Sequence, residues 1–179
     1  MNLARTLVVA AVATQLLVPA LASAQQPSKS APLATELARL LDDHKLDSMA
    51  AKLGDQYVGA LYFPGSQLLV VKAKYSVPAR MDLMLTQKAF RDAYIDLNSA
   101  SDPKSKVLVS DLGANGLRAK RETNEPFDTV DSATGSTVFD GEWGKAKLSE
   151  TEYMKRYQAD DDEYSQMLQA LIAALKKAS

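Results

Sequence analysis

The residues able to do chemistry are few, and they fall into four groups. His44, the single histidine of the chain, stands among Asp42, Asp43 and Asp47. An imidazole with acids at helical spacing could bind a divalent cation or serve as a general base, although a solvated histidine at a helix end is the commoner arrangement. Asp160-Asp161-Asp162-Glu163 is the densest acidic run. It lacks the alternating oxygen ligands and the glycine bend of a calcium loop, so it reads as a solvated face or a kink in a helix. Lys72 and Lys74 project from one side of an apolar stretch, with Arg80 and Lys88 beyond. Such cations could receive a phosphate or carboxylate, or keep an edge strand soluble. Asp111, Asn115, Asp140, Glu142 and Trp143 fall in turns, where paired acids would suit glycoside chemistry and an aromatic ring would stack a sugar. Turn-forming Asp and Asn with a core-covering Trp explain them as well. The tyrosines at 153, 157 and 164 share one helical stripe and read as packing.

Composition removes several classes of function. The chain has no cysteine, which excludes thiol nucleophiles, thiolate metal sites and redox dithiols. No G-x-S-x-G elbow is present, and Gly113-Ala114-Asn115-Gly116 has neither the lysine nor the spacing of a phosphate loop. Among 179 residues, 21 Lys and Arg face 22 Asp and Glu. That balance argues against nucleic acid or an anionic membrane as a partner.

The elements that position these groups begin with a leader. Arg5, the apolar run Leu7–Val18 and Ala22-Ser23-Ala24 read as a signal peptide spanning Met1–Ala24. The run is shorter than the roughly 20 residues of a membrane span. The expected location is periplasmic or secreted, without stable membrane insertion after cleavage near Ala24. Residues 25–31 form a polar leader, and residues 32–179 are expected to make one α+β domain.

Leu33, Leu37, Leu40 and Leu41 define an amphipathic helix after Pro32. Leu46, Met49, Ala50 and Leu53 continue the stripe as a second helical stretch to Gly54. The run Tyr57–Tyr75 reads as a β-hairpin. Its apolar halves, Tyr57–Phe63 and Gln67–Tyr75, flank a turn at Pro64-Gly65-Ser66. A helix over Ala79–Phe90 follows Pro78. Ala93–Leu97 and Lys106–Leu112 then suggest an antiparallel pair, and Phe127–Asp131 with Ser136–Phe139 a weaker hairpin. Ser149 and Glu152 form a capping box ahead of a long terminal helix. The fold class is therefore α+β, with a mainly antiparallel sheet and N-terminal, central and C-terminal helices.

The stretch Leu68–Leu97 resembles the middle of the flavin-binding split barrels of the pyridoxamine phosphate oxidase type. Tyr75-Ser76 follow that family's order as the corner, the helix to Phe90 as its helix, and Arg91–Leu97 as the next strand, with Lys106–Leu112 beyond. Val77-Pro78 stand where the family has its phosphate-gripping cations. The resemblance implies a possible split barrel holding a flavin, haem or related cofactor, with Lys72, Lys74 and Arg80 near its anionic group.

Three functions stay open on the sequence. The leading one is a non-enzymatic module, without a cofactor or metal, that binds a small ligand or an envelope protein. The second is the cofactor-binding split barrel, and the third a hydrolase using the loop carboxylates.

Overall fold

A computed structural model describes residues 28–74, 106–120 and 127–178. It shows an α+β architecture in which two helices cover one face of a six-stranded sheet. The order is α1 (Ser30–His44), β1 (Ser48–Leu53), β2 (Gln56–Phe63), β3 (Gln67–Ala73), β4 (Val107–Leu112), β5 (Asp128–Ser132), β6 (Gly135–Phe139) and α2 (Glu150–Ala178). The strands form an antiparallel meander in the order β1-β2-β3-β4-β5-β6. The sheet is open, and among the described residues β1 and β6 are its outermost strands.

Local chemistry accounts for most of the boundaries. Ala34, Leu37 and Leu41 recur at helical spacing and are fully buried, so α1 lays one stripe on the core. The helix stops where Lys45 enters the left-handed region at φ 55°. There Lys45 N–H donates to Asp42 C=O and Leu46 N–H to Leu41 C=O, the paired bonds of a Schellman ending. The expected hairpin is present as β2 and β3, with Phe63 opposite Gln67 across the three-residue loop Pro64-Gly65-Ser66. Gly65 supplies the positive φ, 72°, that this loop requires. Ser149 and Glu152 form the expected capping box: Ser149 N–H donates to Glu152 Oε2 (2.9 Å), and Glu152 N–H donates to Ser149 Oγ (3.3 Å).

The second helical stretch expected over residues 46–54 is instead strand β1. Its apolar residues fit both periods, since Leu46, Met49 and Leu53 suit a helix while Met49, Ala51 and Leu53 alternate. Gly54-Asp55 closes a two-residue hairpin, with Leu53 opposite Gln56, and pairing with β2 decides the matter. Val107–Leu112 is a strand as expected, with β3 and β5 on its two edges. The expected helix Ala79–Phe90 and strand Ala93–Leu97 lie outside the described residues.

The register sorts the side chains into two faces. Val58, Ala60, Tyr62, Leu68, Val70, Val109 and Val130 point to the helices and form the main core with both of them. From α2 come Tyr153, Tyr157, Tyr164, Met167, Leu168, Leu171, Ile172 and Leu175. Phe139 meets Tyr153 and Tyr157 edge-on, at 5.8 and 5.6 Å between ring centroids, which ties β6 to the start of α2. On the opposite face Leu61, Val71 and Ala73 form a smaller apolar cluster with Tyr57, Phe63, Leu69 and Leu108 around it.

Candidate functional site

The acidic residues separate sharply by environment. Asp42 accepts a hydrogen bond from the Tyr62 hydroxyl (2.9 Å), and Asp43 pairs with Arg39 one turn back on α1. Among the described residues no three of His, Asp and Glu converge to hold a metal ion. His44 and Asp47 stay exposed beside them.

The run Asp160–Glu163 is neither a kink nor one solvated face; it lies within the continuous helix α2 and supplies fasteners. Asp161 is 4% exposed and reaches the start of α1. Its Oδ2 accepts Lys29 N–H (2.7 Å), while its Oδ1 accepts Ser30 N–H, the Ser30 hydroxyl (2.6 Å) and the Ser28 hydroxyl. The residue preceding α1, Lys29, offers no cap of its own, so Asp161 satisfies these first amides from another helix. Asp162 pairs with Lys29, and Glu163 with Lys72. Burial raises the Asp160 carboxyl to about 6.

A second set of acids sits under the loop of residues 113–120. Asp111 and Asp128, on β4 and β5, are 0% and 1% exposed. Asp111 Oδ1 accepts Asn115 N–H (3.0 Å); its Oδ2 accepts Gly116 N–H (2.9 Å) and the Tyr164 hydroxyl (2.9 Å). Asp128 accepts Leu112 N–H (2.9 Å) and Arg118 N–H (3.0 Å) on its two oxygens. The loop is held from the other side as well. Ser30 Oγ accepts Leu117 N–H, the Tyr157 hydroxyl donates to Leu117 C=O, and the Tyr153 hydroxyl donates to Ala119 C=O (2.8 Å). Gly116 lies so close to α1 that a Cβ there would stand 2.3 Å from Ala31 Cα. At φ +87° only glycine suits this contact.

Burial governs the titration of these groups. It pushes the Asp111 carboxyl up, against the lowering effect of its three donors and of Arg118. It pushes the Asp128 carboxyl up to about 7, with the neighbouring Asp111 charge adding to the rise. Tyr164 is raised well above an ordinary phenol by burial and by Asp111, and burial raises Tyr157 to about 12.

The cations expected near an anionic group are placed as follows. Lys72 lies on the covered face of β3 against Glu163, and Lys74, just past the strand end, pairs with Asp55 (2.7 Å). Arg80 and Lys88 lie outside the described residues.

The loop residues at 140–143 form an open corner. Asp140 Oδ1 accepts Glu142 N–H (2.8 Å), and Glu142 pairs with Lys145 (2.7 Å). Trp143 is 40% exposed and tilts over Tyr153, 6.4 Å between ring centroids. With Ala119, Lys120, Gly141, Glu150, Tyr153 and Met154 it lines a half-open cavity of about 240 Å³. Gly141 makes room for the Lys120 stem, since a Cβ at Gly141 would stand 2.7 Å from Lys120 Cγ. The Lys120 and Glu150 charges make no ion pair among the described residues, and both are exposed. Asp111 does not reach this cavity; the fold separates it from Asp140, Glu142 and Trp143.

Two buried acids carry only a faint signal in the sequence. Asp128 alternates with Val130 on the inward face of β5, and Asp161 falls between Tyr157 and Tyr164 on the buried stripe of α2. No helix among the described residues is long and apolar enough to cross a membrane. No protein family, curated protein or solved structure matches the chain.

Proposed function

We propose that the chain is an exported, non-enzymatic module that binds a small ligand in the cavity beneath Trp143. One observation carries this reading. The single tryptophan of the chain stands partly exposed over Tyr153 in a pocket that two exposed charges of opposite sign, Lys120 and Glu150, also line. Small-ligand sites combine an apolar, aromatic lining with a few polar groups that fix orientation, and Trp143, Tyr153 and Met154 with Lys120 and Glu150 have that composition. Asp111, Asp128 and Asp161 are buried acceptors for backbone amides. A general acid or base must reach a substrate proton, so their placement favours binding over catalysis. The leader Met1–Ala24 supports export.

The test uses Trp143 itself. Titration of the purified mature chain with a library of small neutral and zwitterionic metabolites should give a saturable change in tryptophan emission for at least one compound. Calorimetry with that compound should show binding to the parent chain and none to Trp143→Ala. A library without a single hit would leave the cavity without a role.

A further inference from the structure

Asp111 and Asp128 occupy positions where two negative charges are costly. The β4–β5 pairing runs to Ser110 opposite Thr129; Asp111 and Asp128 are the next residue along each strand, near enough for the charge of one to act on the other. Like charges directly opposite on adjacent strands destabilise a sheet, and two neighbouring buried carboxylates resist ionising together. Among the described residues, few charges stand near them. Leu68 of β3 is opposite Asp111, and Phe139 of β6 is opposite Asp128. From α2 come the hydroxyls of Tyr164 and Tyr157, both raised and therefore neutral near pH 7. α1 contributes the neutral Ser30 hydroxyl, through Leu117. Arg118 is the cation whose charge acts on both acids. Its charge is the smallest of the influences on each acid, so it offsets the pair only in part and a proton on one carboxyl relieves the remainder.

The same carboxylates seat the loop by accepting the amides of Leu112, Asn115, Gly116 and Arg118. The far end of that loop, Ala119 and Lys120, walls the cavity at Trp143. Ala119 C=O in turn fixes the Tyr153 hydroxyl, under the tryptophan ring. We propose that Asp111 and Asp128 share one proton that keeps the 113–120 loop seated, and that losing it as pH rises loosens the loop and opens the cavity wall at Trp143. Ligand binding is then gated by pH. The gating rests on reading this cavity as the ligand site; the coupling of proton, loop and Trp143 does not.

The sign follows from linkage. Asp128 has its folded value raised from 3.8 to about 7. Between those values the seated form keeps a proton that the opened form releases. Stability is therefore fully present below about pH 4, declines as pH rises, and levels off above about pH 7.

Hydrogen exchange of the full, ligand-free chain reads this directly. After correction for intrinsic rates, protection of the Asn115, Gly116 and Arg118 amides should fall roughly tenfold per pH unit from about pH 5 to about pH 7, the slope of one proton. Acrylamide quenching of Trp143 should rise over the same range. Asp128→Asn, which removes the charge and keeps an acceptor, should flatten both profiles. If that variant does not fold, carboxyl-carbon NMR of the parent chain decides: one buried aspartate titrating near neutrality supports the proposal, and both titrating below about pH 5 overturns it. A flat exchange profile in the parent chain overturns it as well. So does quenching of Trp143 that ignores pH, whatever the carboxyls do. None of these readings uses a ligand, so a failed ligand search and a failed proton switch remain distinguishable.

Discussion

Asp42, Asp43 and Asp47 are chemically the same as Asp111, Asp128 and Asp161, yet the two sets end in opposite environments. The first set clusters within six positions and stays exposed at the end of α1 and just beyond. The second is scattered over fifty positions of sequence, and all three are buried beneath backbone amides. Local density of charge is thus a poor guide to what a carboxylate does. An exposed acid keeps its hydration and contributes little, whereas a buried one must be fully bonded and then holds whatever bonds it. In this protein the buried set joins three pieces of chain: the start of α1, the 113–120 loop and helix α2.

Substitutions test the contrast. The largest effect is expected for Asp161→Ala, which strips the acceptor from the Lys29 and Ser30 amides and from two serine hydroxyls at once. Leaving that buried group unsatisfied should cost about 3 kcal/mol in urea unfolding, with Asp161→Asn recovering part of it. A loss no greater than that of a surface acid would break the comparison. Tyr164→Phe removes one buried donor to Asp111 and should cost about 1.5 kcal/mol by the same measurement. It also sharpens the proton argument, because Asp111 loses a group that favours its ionised form. The pH at which the loop amides lose protection should then move upward. At the small end, Asp43→Asn breaks only the exposed pair with Arg39, and its unfolding curve should superimpose on that of the parent chain. A clear loss there would mean that the cluster near His44 is more than a solvated helix end.

How much was legible follows the range of each interaction. The hairpin around Pro64-Gly65-Ser66, the capping box at Ser149 and the stripe of α2 are written within a few residues, where dihedral preferences and helical spacing act. They emerge in the structure as the sequence implies. The stretch 46–54 carries both periods, so strand β1 could be chosen only by the neighbour it pairs with. The site divides in the same way. The sequence places Trp143 in a turn, as a sugar-stacking ring beside Asp111, Asn115, Asp140 and Glu142 or as a cover for the core, whereas the cavity it lines is shared with Lys120, Glu150 and Met154.

The sequence by itself determined the β2–β3 hairpin, the capping box at Ser149, the absence of thiol chemistry and the near-neutral charge, because these depend on residue type and close spacing. Tertiary structure alone decided which acids are buried, that Asp161 caps a helix more than a hundred residues away, and that the Asp111 charge acts on Asp128. Those outcomes depend on register and on packing between distant segments. The free energy of a charge is set by its surroundings, and the surroundings of these three acids exist only once the sheet and both helices are in place.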